Sequence, residues 1–148
     1  MKLHQLSLFL ENKPGQLTAP CRLLASAGIN IRTLTLADTE EFGILRLIVS
    51  DWQEGARQLE QAGYVVNVTE VVAVEVADRP GGLADLLAVF EGTGINIEYM
   101  YAFTFGRGAT AVMIFRFSDP DAAIACLTSS GINVVGSTEV YNRIDRTS

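Results

Sequence analysis

Side chains able to carry acid–base, nucleophilic or metal chemistry are few in this chain, and their spacing brings none of them together. The only histidine, His4, stands at the start of a strand-like segment with no nucleophile at a matching spacing. Cys21 and Cys126 are the only cysteines, each in a helical pattern without a CxxC pair, so we expect buried free thiols. We predict no catalytic residue, no metal, no cofactor and no enzymatic activity.

Recognition of a small charged molecule is a different kind of chemistry, and two turns favour it. They are Asn12-Lys13-Pro14-Gly15-Gln16-Leu17 and Asp78-Arg79-Pro80-Gly81-Gly82-Leu83. A helix that begins after Pro-Gly presents unpaired backbone N–H groups to an anionic carboxylate. Asn12 or Asp78 offers an acceptor for an ammonium group, and glycine lets a ligand approach the backbone. The same residues are good turn formers, so a purely structural role stays open.

The two turns belong to an internal repeat. Asn12 and Asp78 lie 66 positions apart, and the same offset relates Gly28-Ile29-Asn30-Ile31 to Gly94-Ile95-Asn96-Ile97. Ser50-Asp51 and Ser118-Asp119 are 68 positions apart, so the second copy has two additional residues between them. Fixed spacing over this length indicates a duplicated structural unit.

Hydrophobic periodicity predicts the same order of elements in each copy: strand, helix, strand, strand, helix, strand. The first helix is expected at about residues 16–27, and Pro20, poorly placed in a helix interior, predicts either a late start around Thr18 or a kink. Its counterpart is expected at residues 82–93. Hairpin strands are expected at 31–37 and 43–49, and at 97–105 and 109–117. Helices then follow at 52–62 and 119–130, and last strands at 64–69 and 132–138.

This order predicts an α+β chain of two tandem ferredoxin-like βαββαβ modules. Each module has an antiparallel four-stranded sheet with both helices on one face. The expected boundaries are 1–69 for the first module and 70–140 for the second, followed by a polar tail at 141–148.

The repeated motifs carry a family resemblance over about residues 1–140. Asn/Asp-x-Pro-Gly-x-Leu before a helix, with Gly-Ile-Asn-Ile entering a strand, resembles the ACT domain, an amino-acid-sensing module. The resemblance implies a free amino acid bound at an interface between two modules. The binding residues it implies are those of both turns, with Asn30, Ile31, Asn96 and Ile97. Asp78 departs from the asparagine common in the family, so the two sites are expected to be inequivalent.

The second hairpin carries an aromatic series. Alternation places Leu34, Leu36, Met100 and Ala102 toward the helices, which leaves the intervening residues on the other face. That face is predicted to hold Tyr99, Tyr101, Phe103 and Phe105, beside Val112 and Ile114. An apolar face of this size needs a cover, and the other module, a second chain or a partner enzyme would supply it. A β-bulge that shifts the parity would instead make the aromatics core.

Composition limits the remaining function classes. Hydrophobic residues make up 49% and charged residues 19% of the chain, which favours a folded domain over a disordered one. The net charge of −6 disfavours nucleic-acid binding, and no apolar run is long enough to cross a membrane. We expect a non-catalytic, cytoplasmic regulatory protein that forms a homodimer and signals to a partner enzyme or regulator in trans. The alternative is a ligand-free interaction subunit of a metabolic enzyme complex.

Overall fold

The computed structural model describes residues 1–103 and 110–136, in which the chain divides into two compact units. The first unit comprises residues 4–69, and the second comprises residues 1–3 with the chain from residue 70 onward. Each unit combines strands and helices, so the predicted α+β class is confirmed. The predicted tail at 141–148 lies outside the described residues.

The elements alternate in the predicted order. In chain order they are β1 (Lys2–Glu11), α1 (Thr18–Ser26), β2 (Ile31–Thr39), β3 (Phe42–Val49), α2 (Trp52–Gln61), β4 (Val66–Ala77), α3 (Gly82–Ala88), β5 (Ile97–Ala102), β6 (Thr110–Phe117), α4 (Pro120–Ser129) and β7 (Val134–Val135). Strand β4 begins in the first unit and continues into the second. The last strand of the first copy and the first strand of the second copy were predicted separately, but they form one strand. No glycine or proline interrupts the β-branched sequence between them.

The two loop-following helices begin and end differently. Helix α1 begins at Thr18, as the position of Pro20 predicts, because a proline in the first turn removes an N–H that has no partner within the helix. Helix α3 ends at Ala88, earlier than predicted. Beyond it, the N–H groups of Val89 and Phe90 donate to carbonyls three residues back, so the last turn tightens into non-α geometry.

Within each unit the strands pair antiparallel. In the first unit the order is β2-β3-β1, with Leu6 opposite Leu47 and Leu34 opposite the same Leu47. In the second unit β5 pairs with β6, β6 with β4, and β4 with β7. Strands β2 and β5 both carry an irregularity at their start, after Ile31 and Ile97 respectively, so the repeat extends to the bulge.

Each unit has its own core between its sheet and its helices. In the first unit the buried residues are Leu6, Leu8, Leu10, Leu24, Ile29, Leu45, Leu47, Val49, Ala56 and Leu59. In the second they are Val72, Val74, Val76, Leu86, Phe90, Phe115, Phe117, Ala123, Leu127 and Val134. Helices α2 and α4 are capped alike, because the Asp51 and Asp119 carboxylates each accept a backbone N–H at 3.1 Å, a cap that stabilises by about 1 kcal/mol.

Candidate functional site

The loop between β1 and α1 is fastened to the turn between β2 and β3. The backbone N–H of Asn12 donates to the Glu41 carbonyl and its side-chain Nδ2 donates to the Glu40 carbonyl, both at 2.9 Å. Glu40 adopts a left-handed backbone with φ of 65°, which is uncommon for a residue with a side chain. The Asn12 amide therefore holds this turn, which supports a structural role for that side chain.

A cavity of about 80 Å³ lies beside this loop. Its lining contains the predicted residues Asn12, Lys13, Gln16 and Leu17, together with Leu10, Glu11, Leu36, Asp38 and Gly43. Lys13 Nζ lies 2.9 Å from Glu11 Oε2, and this hydrogen bond lowers the pKa of Glu11 and raises the pKa of Lys13. The wall therefore presents one ammonium and two carboxylates beside leucine side chains.

Three of these lining residues come from the β2–β3 hairpin, which motif reading did not select. Leu36 and Asp38 lie near the end of β2, and Gly43 is the second residue of β3. Antiparallel pairing places Thr39 opposite Phe42 and Phe42 opposite Glu11, so the end of β2 lies at the same end of the sheet as the loop. This strand order was the signal that would have identified Asp38.

The second loop, between β4 and α3, is held mainly by its own residues. The Gly82 N–H donates to the Arg79 carbonyl at 3.0 Å. The Arg79 guanidinium donates to Asp85 Oδ2 at 2.8 Å and to the Pro80 carbonyl at 3.2 Å. Gly81 has φ of 84°, and its counterpart Gly15 has φ of 85°, so both loops turn through a left-handed glycine.

Gly82 has a steric role. A Cβ at this position would lie 1.9 Å from the carbonyl oxygen of Ala77, closer than any side chain tolerates. Gly82 is also buried, so its backbone is not the open approach for a ligand that sequence suggested. The absence of a side chain allows the loop to return close to the end of β4.

A cavity of about 180 Å³ lies beside the second loop. It is lined by Glu75, Val76, Ala77, Arg79, Gly82, Asp85, Leu86 and Ile132. Glu75 Oε2 accepts from Asn133 Nδ2 at 3.0 Å, which orients this carboxylate at the wall. As in the first unit, one cation and two carboxylates line the space, but the other lining residues come from β4, α3 and Ile132 instead of a hairpin.

Asn30 and Asn96, at the entrance of β2 and β5, lie away from these loops. The backbone of each asparagine makes two hydrogen bonds with a serine. The Asn30 N–H donates to Ser50 Oγ at 3.0 Å, and the Ser50 N–H donates to the Asn30 carbonyl at 2.9 Å. Asn96 and Ser118 make the same two hydrogen bonds at the same distances. Their carboxamides are exposed and make no hydrogen bond to the part of the chain that the structure describes. Within a unit, Asn30 is at the opposite end of β2 from the loop, roughly 25 Å away at about 3.3 Å per residue.

The remaining predicted ligand residues divide by exposure. Lys13, Pro14, Asp78 and Pro80 are exposed. Leu83, Ile31 and Ile97 are half-buried and pack against the cores of their units. The structure therefore brings the loop residues together in each unit, but it does not bring them to Asn30 and Ile31, or to Asn96 and Ile97.

The aromatic strand faces as the alternation predicts. Met100 lies opposite Phe115 and packs in the core, whereas Tyr101 lies opposite Ile114 on the other face. Phe103, Val112 and Ile114 are buried within this single chain, and Tyr99 and Tyr101 are half-buried. A second chain would therefore meet the two tyrosines and little of the other three residues. Phe105 lies outside the described residues.

Other residues of chemical interest have local contacts. His4 stacks on Trp52, with ring centroids 4.4 Å apart and the ring planes 17° from parallel. This histidine therefore has a packing contact with α2. Cys21 and Cys126 are free but half-buried, less enclosed than expected. In residues 1–103 and 110–136, no group of histidine, cysteine and acidic side chains is arranged to hold a metal. No helix over these ranges has the length and apolar character needed to cross a bilayer.

Comparison with known proteins agrees with this architecture. A family model described as an ACT domain pair matches residues 1–143. A protein of known structure from Bacteroides thetaiotaomicron is 37% identical with a TM-score of 0.88, covering 95% of this chain and 96% of that chain. The ligand-free regulatory subunit of aspartate kinase from Thermus thermophilus is 18% identical with a TM-score of 0.61, covering 85% and 91%. A search of curated protein sequences finds no match.

Proposed function

This chain belongs to the ACT domain pair family, and from that premise we propose that it is a non-catalytic regulatory protein that binds a free amino acid. The ligand lies against the β1–α1 loop of the first unit, at an interface with another ACT module. Binding changes the association of modules, and a cytoplasmic partner enzyme or regulator reads that change in trans.

The observation that carries this proposal is a loop cavity in each unit whose wall holds both signs of charge. Lys13 faces the first cavity with Glu11 and Asp38, and Arg79 faces the second with acidic residues. A free amino acid carries one carboxylate and one ammonium, so both of its charged groups find a partner of opposite sign.

The position of Asn30 supports a site shared between two modules. Its carboxamide is exposed at the far end of β2, so it cannot reach the loop of its own unit. A second module whose β2 runs in the opposite direction would bring its own Asn30 to this loop. The proposed ligand site thus implies a homodimer as its simplest assembly.

The partner in trans is supported by the architecture of relatives. The ACT domain pair model matches residues 1–143 of this chain, and a protein of the same fold is a regulatory subunit of aspartate kinase in Thermus thermophilus. We propose the same mode of action here, with a partner enzyme or regulator of amino-acid metabolism.

A thermal-shift screen against the twenty amino acids, followed by calorimetry, tests the binding proposal. A ligand at roughly 100 times its dissociation constant should stabilise the protein by about 2.7 kcal/mol. Lys13→Met and Asp38→Asn should abolish the shift if the first cavity binds, and Arg79→Met if the second does. Arg22→Met removes an exposed cation of α1 that lines neither cavity and serves as the control. Absence of any shift with all twenty would refute the proposal.

A constitutive interaction subunit is the second candidate, and an exposed aromatic pair favours it. Phe9 and Phe42 are exposed beside half-buried Ile44, and the register places all three on the sheet face away from the helices. If this face binds a partner permanently, the partner should co-purify without added amino acid and be lost with Phe9→Ser/Phe42→Ser. Co-purification that depends on an amino acid would instead favour the regulatory binder.

A further inference from the structure

Four apolar residues form an exposed patch on the first unit, on the sheet face that points away from its helices. Phe9 lies opposite Ile44, and Ile44 lies opposite Ala37, so the three form one row across β1, β3 and β2. Phe42 lies on the same face, because it precedes Ile44 by two residues on β3. Both rings are largely in water, with Phe9 60% and Phe42 48% exposed. These four residues are called the phenylalanine patch below.

The second unit shows that the fold does not require these two rings. At the offsets of the internal repeat, Glu75 occupies the position of Phe9, and Thr110 occupies the position of Phe42. The strands pair in the same register in both units. A carboxylate and a hydroxyl are therefore compatible with the sheet at these positions, and folding does not account for the exposed rings. A contiguous exposed apolar group of this kind marks an interaction site.

Carboxylates border the patch at the ring of Phe42. Glu11 lies directly opposite Phe42 on β1, and Glu40 and Glu41 precede it in the turn between β2 and β3. All three acidic residues are exposed. Lys13 Nζ pairs with Glu11 Oε2 at 2.9 Å and offsets one of the three charges. This end of the patch therefore attracts cations.

The acidic turn has a fixed backbone. The Asn12 N–H and its side-chain Nδ2 donate to the Glu41 and Glu40 carbonyls, both at 2.9 Å. Within the turn, the Glu41 N–H donates to the Thr39 carbonyl at 2.8 Å, and Thr39 Oγ1 donates to the Phe42 carbonyl at 3.3 Å. A turn that is already ordered loses little conformational freedom when a partner binds.

The size and charge of the patch favour a short segment over a second copy of this chain. Three strands about 4.8 Å apart and five residues of about 3.3 Å each give the patch and its border roughly 240 Å². A stable protein–protein interface buries about 800 Å² on each partner. A second copy would also bring the same carboxylates, and Arg46, the cation next to the patch on β3, is half-buried and offers little to them.

We infer that the phenylalanine patch docks a short segment of the partner polypeptide that carries apolar side chains next to lysine or arginine. The inference rests on the proposed function for the existence of a partner in trans, and it names the chemistry that this partner presents. The apolar side chains cover Phe9 and Ile44. The cationic group lies against Phe42, where the ring face and the neighbouring carboxylates both attract it.

Fluorescence anisotropy with two labelled peptides tests this chemistry on the full chain without added amino acid. In the first peptide leucine and lysine alternate, and in the matched peptide glutamate replaces each lysine. The chain should bind the lysine peptide more tightly than the glutamate peptide by at least about tenfold, because the glutamate peptide meets like charges at the acidic turn.

A matched variant takes its side chains from the second unit. Phe9→Gln/Phe42→Thr introduces the shapes of Glu75 and Thr110 without adding a charge, so circular dichroism and thermal unfolding should show a folded chain. Binding of the lysine peptide should weaken by at least about tenfold, since the variant removes both exposed rings.

A second pair of variants tests the charges. Glu40→Gln/Glu41→Gln should weaken binding of the lysine peptide by roughly fivefold, the size expected for two exposed ion pairs. Glu60→Gln/Glu91→Gln removes two exposed carboxylates away from the patch, one on α2 and one after α3, and should leave binding unchanged.

Three results would overturn the inference. They are no binding of the lysine peptide, equal binding of both peptides, and binding that survives Phe9→Gln/Phe42→Thr. Light scattering tests the second copy as an occupant: this variant should keep the mass of the wild type, and a smaller mass would assign the patch to a second copy instead.

The amino-acid screen is independent of these results. Phe9 and Phe42 line neither loop cavity, so Phe9→Gln/Phe42→Thr should retain any thermal shift that the wild type shows. Peptide binding that behaves as expected while all twenty amino acids give no shift refutes only the ligand. A thermal shift without binding of the lysine peptide refutes only the docking patch.

Discussion

The two units repeat some contacts almost identically and differ in others. Ser50 with Asn30 and Ser118 with Asn96 have the same pair of hydrogen-bond distances, and Gly15 and Gly81 share the same left-handed turn. In contrast, the sheet face away from the helices, called the far face below, differs in exposure. Phe9 on the far face of the first sheet is 60% exposed, whereas Phe103 in the second unit is only 5% exposed. Hydrogen bonds and turns within each unit therefore recur in both copies, whereas the exposure of the sheet face away from the helices differs between them.

The two loops that precede α1 and α3 differ at one equivalent position. Gln16 and Gly82 are equivalent, but only Gly82 packs against the carbonyl of the preceding strand. Helix α3 begins at Gly82, whereas α1 begins two positions later relative to the repeat, at Thr18. The tighter second loop leaves its cavity bounded by α3, and the wider first loop leaves its cavity open to the β2–β3 hairpin. The two loop cavities therefore differ in the elements that line them.

The largest expected difference between the units concerns their far faces. Phe103→Ala should lower the free energy of unfolding by about 3 to 5 kcal/mol, since it empties a buried site. Phe9→Ala should change it by less than about 1 kcal/mol, because that ring is mostly in water. Urea denaturation of both variants measures the contrast. Equal losses would show that the far face of the first sheet is also covered in solution.

A loop exchange is the next test. Gly82→Gln should destabilise the protein by about 3 kcal/mol, because its Cβ collides with the Ala77 carbonyl. The reciprocal Gln16→Gly meets no such constraint and should cost less than about 1 kcal/mol. Denaturant unfolding provides the comparison, and similar values for both exchanges would mean that the two loops have the same packing.

The serine contacts should respond equally. Ser50→Ala and Ser118→Ala each remove the acceptor for an asparagine N–H, so each should cost about 1 kcal/mol. Because the two contacts lie in different units and share no hydrogen-bond partner, the double variant should show the sum to within about 0.5 kcal/mol. Thermal unfolding of the three variants measures these losses. Unequal losses for Ser50→Ala and Ser118→Ala would show that the two contacts differ in strength despite their equal distances.

The smallest expected effect on stability comes from the titration of the Glu54 carboxyl in α2. The Arg57 guanidinium donates to Glu54 and, with Gln58, lowers the Glu54 pKa from 4.5 to about 2. A lowered pKa means that this contribution to stability is complete above pH 4.5 and is lost as pH falls toward 2. Carbon-detected NMR titration of the Glu54 carboxyl should give the low value, and Arg57→Gln should raise it. An unchanged titration midpoint of Glu54 in Arg57→Gln would show that the ion pair with Arg57 does not lower this pKa.

Local features of the fold were predictable. Pro20 predicted the late start of α1, and the alternation of Leu6, Leu8 and Leu10 predicted the buried face of β1. The end of α3 was not predictable, because the periodicity of its leucines continues after the hydrogen bonds change to a tighter turn. The merging of two strands in β4 was also missed, since a boundary between repeats suggests a break that the residues themselves do not require.

The candidate site was predictable only in part. The loop residues Lys13, Gln16 and Arg79 were selected by motif, and they line the cavities. Asp38 and Glu75 were not selected, because nothing in their local sequence distinguishes them from other acidic residues on strands. Their positions at the cavity walls depend on which strand pairs with which.

The sequence by itself determined the duplication, the order of elements, the glycine turns and the residues of the loops. These follow from periodicity, turn chemistry and the restricted backbone of proline, all of which act between residues close along the chain. Only the tertiary structure decided that Asn30 lies at the opposite end of its sheet from Asn12, and that Phe103 is buried while Phe9 is not. Strand order and register set these relations between residues far apart in sequence, and no local pattern contains that information.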